Sequence, residues 1–383
     1  MARVTKPGAP PRERLAALDA FRGMTIAGML LVNNPGTWSA IYPPLEHAPW
    51  HGWTPTDLIF PFFVFIVGVT THLSLSARAR RGEPPGAITA QIVRRGLLIV
   101  GFGLLLQSFP WYPLTRITHL RFPGVLQRIG VCYLAAALLA RGRSTRQVVT
   151  ITAVLLFGYW ALQALVAPPG VAAPTLDVPE NTLSAWIDRT VFGSHLWQSS
   201  KTWDPEGLLS TLPAIGTCLL GILTGRWLAS EAPLPARLNG LFAAGALGMV
   251  GGLVWNWFFP INKNLWTSSY VLFTAGMASV AIATCAWLIE IRGRRRWAAP
   301  LVTYGLNAMI AFVGSGAMAR VLGLVQVGGA DGQALSLQQW IYQAGFASWL
   351  APRNASLGFA VAFVVLWYAI LRVLERRGVV FRV

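Results

Sequence analysis

The residues with the greatest chemical potential in this chain lie along its first apolar stretch and the loop that follows it: Leu18-Asp19-Ala20-Phe21-Arg22-Gly23, then Val32-Asn33-Asn34-Pro35-Gly36, then Glu46-His47-Ala48-Pro49-Trp50-His51-Gly52-Trp53-Thr54-Pro55-Thr56-Asp57. Charged groups at membrane depth cost at least ~2.5 kcal/mol each, so they usually face a cavity, an ion path or a reacting ligand. Asp19 and Arg22 are three apart and share one helix face. They either pair with each other, or Arg22 offers its planar guanidinium to an anionic ligand entering from the cytoplasm. Asn33 follows eleven residues later, ~16 Å along the same helix, so one helix could touch both ends of an extended ligand. Histidine, with an ordinary pKa near ~6.5, is the side chain best suited to accept and return a proton near neutral pH. A lone loop histidine is nonetheless more often structural or solvated, and that alternative stays open for His47 and His51. Asp57 opens the second apolar span. It serves either as a first-turn carboxylate with Thr54 or Thr56 as cap, or as the group that orients a histidine.

Three later groups extend the set. Arg121-Phe-Pro-Gly-Val-Leu-Gln127-Arg128 sets a Gln-Arg pair inside an apolar stretch, where an unpaired guanidinium is costly and calls for an anionic partner from protein or ligand. Asp204-Pro205-Glu206-Gly207 puts two carboxylates before a helix start, favourable for the helix dipole and equally suited to attracting an ammonium or amine. Pro260-Ile-Asn262-Lys263-Asn264-Leu-Trp266 reads as a tight polar turn on the side of His47. Asn307 is a mid-span amide that can simply bond a neighbouring helix. No Walker A, HExxH, GxSxG or CxxC pattern occurs, which argues against P-loop, serine-hydrolase and metal chemistry.

These residues must be held by membrane helices. Of 383 residues, 54% are hydrophobic and 12% charged, and the mean hydropathy is +0.53. Charged residues make up ~25% of an ordinary soluble domain. The apolar runs are continuous rather than alternating, which fits helices and not a β-barrel. Ten segments are long enough to cross a bilayer, at about 17 to 34, 58 to 77, 90 to 109, 122 to 140, 147 to 166, 207 to 228, 238 to 258, 268 to 290, 299 to 323 and 355 to 373. The expectation is an all-α, polytopic transmembrane helical bundle: a basic tail over 1–14, then one transmembrane domain over 15–383.

The net charge of +17 is distributed as topology requires. Nineteen Lys and Arg fall in the tail and alternate loops, and six (Arg116, Arg121, Arg189, Lys201, Lys263, Arg353) in the opposite loops. Such an imbalance puts both termini in the cytoplasm and the His47 loop outside it. It also removes the case for nucleic acid, since no soluble region is large enough to read a groove. The opposite side carries the longer connections, 35 to 57, 167 to 206 and 324 to 354, where binding groups usually sit. Cys132, Cys218 and Cys285 lie singly in apolar spans and read as packing residues. The N-terminus lacks a small-residue cleavage site and reads as retained.

Taken in order, LDAFRG, VNNPG, HAPWHGWTPTDLIFPFFVFIVG, RFPGVLQRIGVCY, DPEGLLSTLPAIGT, PINKNLWTSSYVLFTAG and YGLNAMIAFVG resemble the heparan-α-glucosaminide N-acetyltransferase family of transmembrane acyltransferases. The resemblance implies that acetyl-CoA, bound from the cytoplasmic side, delivers its acetyl group to an amino sugar or glycan acceptor on the other side, with no metal. It gives His47 the catalytic histidine position and Asn33 the active-site asparagine position. The expected arrangement has Arg22, Arg94 or Arg95 near the CoA phosphates, and Gln127 with Arg128 along the cavity of the pantetheine arm. Asn33 would donate to the thioester oxygen and Asp57 would orient His47. His47 would act as base or become acetylated itself, and His51, Asp204, Glu206, Asn262, Lys263 and Asn264 would line the acceptor side. The lysosomal members carry a long luminal N-terminal domain, whereas about fourteen residues precede the first span here. The expectation is therefore a prokaryotic relative in the bacterial inner membrane, where flat apolar helix faces permit a homodimer. The competing reading is a transporter or flippase for a lipid-linked or small polar molecule, which broken helices in two corresponding positions would favour.

Overall fold

The computed structural model describes residues 15–111, 118–328 and 334–379; the proposed 1–14 tail and Arg116 lie outside them. Apolar runs without internal breakers become helices α1 (Ala16–Asn33), α2 (Ile59–Arg80), α3 (Pro85–Ser108), α4 (Val125–Ala140), α5 (Thr145–Leu165), α6 (Leu183–Phe192), α7 (Thr211–Leu228), α8 (Leu234–Trp255), α9 (Ser268–Ala286), α10 (Ala299–Leu306), α11 (Ala308–Leu324), α12 (Leu337–Tyr342) and α13 (Pro352–Arg376). Prolines at the first turns of α3, α8, α10 and α13 supply no amide where none is needed. The chain is an all-α polytopic membrane protein. Among the described residues, seven helical segments are long and apolar enough to cross a bilayer, eight if α10 and α11 count as one bent span. The first and fourth expected segments fall short of that standard. Asp19, Arg22 and Asn33 dilute α1, and α4 has only 16 residues.

The ninth expected span is not one helix. It breaks into α10 and α11 at an angle of 81°, with Asn307 at the joint in a non-helical conformation (φ −119, ψ 37). The break has an outside partner: Arg22 Nε donates to the Gly305 carbonyl at 2.7 Å, an acceptor that continuous helix would use internally. The expected long connections also contain structure. Residues 167–206 include α6, capped by Thr182 accepting from the Ala185 amide. Residues 324–354 include a short antiparallel pair, β1 (Gln326–Gly328) with β2 (Ala334–Ser336), in register Val327 to Leu335, followed by α12.

Enclosure separates interior from periphery. In the apolar windows of α7 and of the segment containing α9, 61% of residues are buried inside the protein, against 22% for α8 and 28% for α3 and α13. The peripheral helices turn Leu97, Leu105, Leu247, Val250 and Val365 outward, as a lipid-facing surface requires. Small residues let the inner helices touch backbone to backbone. A Cβ on Gly221 of α7 would stand 2.1 Å from the Phe65 carbonyl oxygen of α2, and one on Gly68 2.0 Å from that of Cys218. Gly221→Ala is therefore expected to force α2 and α7 apart at a cost of ~1–3 kcal/mol, read as a lower unfolding temperature in detergent. Because α2 begins at the Asp57 turn, that contact fixes the base of the site.

Candidate active site

The segment between α1 and α2 folds into a turn that explains Asp57. Thr54 caps a short 3-10 turn, Pro55–Leu58, in a reciprocal capping box whose fourth member is Asp57. Asp57 Oδ2 accepts from the amides of Ala48 and Thr54, both at 3.0 Å, and from Thr54 Oγ1 at 3.2 Å. Tyr270 on α9 donates to the Asp57 backbone carbonyl at 2.5 Å. The carboxylate, 1% exposed, thereby keeps Oδ1 for His47 Nδ1 at 2.6 Å, with the Lys263 ammonium further off at 4.0 Å. A carboxylate there holds the proton on Nδ1 and leaves the lone pair on Nε2, as a base requires. The His47 side chain is 48% exposed, so this buried acid carries an accessible imidazole.

A second segment closes on the first from far along the chain. The Gly52 amide donates to the Ile261 carbonyl at 2.7 Å, and Gly52 and Asn262 form an isolated parallel bridge. Asn262 is fully buried; its amide donates to Thr267 Oγ1 and its Oδ1 accepts from the Leu265 amide. Asn262 Nδ2 reaches His51 Nδ1 at 3.4 Å, while His51 Nε2 faces Asp177 at 3.0 Å. Lys263 Nζ comes to 3.3 Å from both ring nitrogens of His47 and 4.0 Å from Asp57 Oδ1. Asn264 is half-buried on the same turn.

Beside this lies an ion cluster. Arg121 clamps Asp204 in the two-pronged manner that suits a guanidinium, Nε to Oδ2 at 2.8 Å and Nη2 to Oδ1 at 2.5 Å, and also bonds Glu206. Asp204 further accepts from the amides of Trp197 and Glu206, so its carboxylate is committed within the protein. Burial presses the Glu206 carboxyl upward, but Arg121, Arg128 and Lys263 outweigh it and hold it below its usual value. Burial lowers the Lys263 ammonium, against Glu206 and Asp57, which support the charge. Arg128 is buried over the Trp266 ring, 5.2 Å from its centroid. Its direct bonds are not to an anion, as expected, but to the Pro205 and Gly207 carbonyls, both at 2.9 Å, and to Ser210 Oγ at 2.5 Å. Carbonyl dipoles and a hydroxyl meet the Nη1 and Nη2 donors, while the buried Nε makes no hydrogen bond among the described residues.

Asp188 on α6 accepts from the Leu208 amide at 2.8 Å, and burial pushes its carboxyl up from 3.8 to about 6. A carboxyl raised in the folded state binds its proton there more readily than in the unfolded chain. Its contribution to stability therefore falls as pH rises from about 4 to about 6. Asp188→Asn is expected to flatten that loss, a gain on the order of 1–2 kcal/mol at pH 7 with little change at pH 4, measured by thermal unfolding at both.

The structure thus brings His47, Asp57, His51, Asn262 and Lys263 together, with Asp204, Glu206 and Arg128 in the adjoining cluster. Asn33 is exposed at the end of α1, a helix that packs on the Asp57 turn. Arg22 bonds Asp19 at 2.6 Å besides Gly305. Arg95 lies 4.9 Å over the Tyr133 ring, its neighbour Arg94 is exposed, and Gln127 donates to Gln107 at 2.6 Å. The site's main supports beyond the expected residues are Thr54, Tyr270, Arg121 and Asp188. Only Thr54, through its Thr-x-x-Asp spacing, left a readable local signal.

An all-α membrane bundle that carries an accessible imidazole on a buried carboxylate, with a cation alongside, has the parts for proton transfer at one end of its helices. The chain belongs to the heparan-alpha-glucosaminide N-acetyltransferase family: residues 14–252 match the model of the family's catalytic region. It is 30% identical to human heparan-alpha-glucosaminide N-acetyltransferase, covering 80% of this chain and 53% of that protein. The mouse protein is 29% identical, over 79% of this chain and 53% of its own length. The chain spans about half the length of these curated relatives.

Proposed function

We propose that this protein is a membrane-embedded acetyltransferase moving an acetyl group from cytoplasmic acetyl-CoA to an amino sugar or glycan on the extracytoplasmic side. In this reading it sits in a bacterial inner membrane with both termini in the cytoplasm. The observation that carries the proposal is the His47–Asp57 pair at 2.6 Å, in a chain of this family. With Nδ1 committed to Asp57, Nε2 is the ring atom that takes the proton of an attacking amine or receives the acetyl group itself. In direct transfer the amine nitrogen bonds the thioester carbon, the carbon–sulfur bond breaks, and CoA leaves as the thiol with the proton that passed through His47. Asn33 contributes a hydrogen bond to the thioester oxygen as it gains charge. Arg22, Arg94 and Arg95 belong to the CoA end, Gln127 and Arg128 to the path between, and His51, Asn262 and Asn264 to the acceptor side. Asp204 and Glu206 act there through their ion cluster with Arg121.

A single break among the described helices, at Asn307, gives the transporter reading no matched pair. The deciding experiment incubates the purified protein in detergent with labelled acetyl-CoA and glucosamine. Labelled N-acetylglucosamine is the expected product. A folded protein that neither binds CoA nor acetylates any amino sugar offered would return the transporter reading to first place.

A further inference from the structure

We infer that Lys263 is a catalytic cation of the transfer step, the group whose charge meets the carbonyl oxygen as it becomes an oxyanion, rather than a residue that merely holds the acceptor. The inference rests on the acetyltransferase reading above and assigns a role within the same site.

Position is the first argument. Lys263 Nζ lies 3.3 Å from both ring nitrogens of His47. An amine bonded to Nε2 sits ~3 Å from that atom, and the carbon it attacks is ~3–3.5 Å from the amine in a reactive approach. The oxygen on that carbon then develops its charge within reach of the ammonium. A preformed cation in a partly dry site is worth most there, because it need not reorganise when the charge appears.

The second argument is how firmly the cation is held. The lysine side chain is 15% exposed. Its turn is pinned by Asn262, bridged to Gly52, and followed by Trp266, which is fully buried at φ +52. A bulky residue with positive φ is a strained conformation that persists only where its surroundings over-determine it. Here they do: the Trp266 indole donates to Thr217 Oγ1 at 3.0 Å and carries Arg128 on its face. The turn that presents Lys263 to His47 is thus held by buried contacts on both sides of the lysine.

Charge is the third. Groups facing the ammonium come from every packed element: Asp57 from the turn before α2, His47 from the preceding loop, Glu206 from the loop before α7, Arg121 from the segment that leads into α4, and Arg128 from α4 itself. Asp57 and Glu206 support its charge, while Arg121 and Arg128 oppose it. At the tetrahedral stage Asp57 balances a protonated His47, and the oxyanion balances Lys263.

Wild type, Lys263→Met and Lys263→Arg are compared for acetylation of glucosamine, with acetyl-CoA binding and unfolding temperature measured to confirm folding. In Lys263→Met, kcat is expected to fall ~10²–10³-fold with KM for the amino sugar little changed, and Lys263→Arg is expected to recover part of the rate. A raised KM at constant kcat would assign Lys263 to acceptor binding and overturn the inference. So would equal losses of kcat in both variants, which mark a structural role. A wild type without any acetyl transfer would instead remove the acetyltransferase reading on which the inference stands.

Discussion

His47→Ala is expected to lower acetyl transfer to glucosamine by ~10²–10⁴-fold, the usual contribution of a positioned general base, and to abolish it if His47 carries the acetyl group. Acetyl-CoA binding should survive, because the histidine is not part of the helix packing. Its ring is half-exposed, and the buried carboxylate it leaves behind keeps Ala48, Thr54 and Lys263 as partners. The loss should therefore appear in kcat, with the unfolding temperature within a degree or two of wild type on the ~4–8 °C per kcal/mol scale of small domains or the smaller shifts of larger ones. Equal loss of CoA binding and activity would mean that His47 supports the fold.

Asp57→Asn should cost nearly as much by a different route. The amide oxygen can keep the Ala48 and Thr54 donors, which turns the NH2 group toward His47 Nδ1. That nitrogen must then accept, so the ring proton moves to Nε2 and the base loses its lone pair. A wrong tautomer in an intact site costs ~10³–10⁴-fold in kcat where an orienting carboxylate serves a histidine base. Asp57→Ala adds a structural penalty, since it also strips the capping box, ~1–2 kcal/mol. Comparing the two variants by activity and by thermal unfolding separates orientation from support. An Asp57→Asn protein with near wild-type kcat would show that the carboxylate only closes the turn.

The same residues show how far local information reached. Thr54-Pro-Thr-Asp57 is a capping signature, and His47 stands ten residues upstream in a loop, so the pair was readable as two open possibilities. Their 2.6 Å contact depends on how the Pro-rich loop folds back onto the turn, which no spacing rule supplies. Lys263 comes from 216 residues away, and nothing in Asn-Lys-Asn says that its ammonium will meet an imidazole rather than water. Arg128 was legible as a costly buried charge, yet its partners Pro205 and Gly207 are backbone carbonyls, invisible to any reading of residue types. The bend at Asn307 was hidden for a similar reason: the Gly305 carbonyl in the last turn of α10 is taken by Arg22, 283 residues earlier.

What this chain determined by sequence alone is its all-α polytopic membrane character and the family's run of motifs, because hydropathy, breakers and caps act over a few turns and need no distant partner. What the tertiary structure alone decided is which charges meet. Once helices pack through backbone contacts such as Gly68 against Cys218 and Gly221 against Phe65, the loops at their ends have few arrangements left. Burial then makes every unpaired charge costly, so Asp57, Lys263, Glu206, Arg121 and Arg128 settle where their partners are, a choice made by distances across the whole bundle.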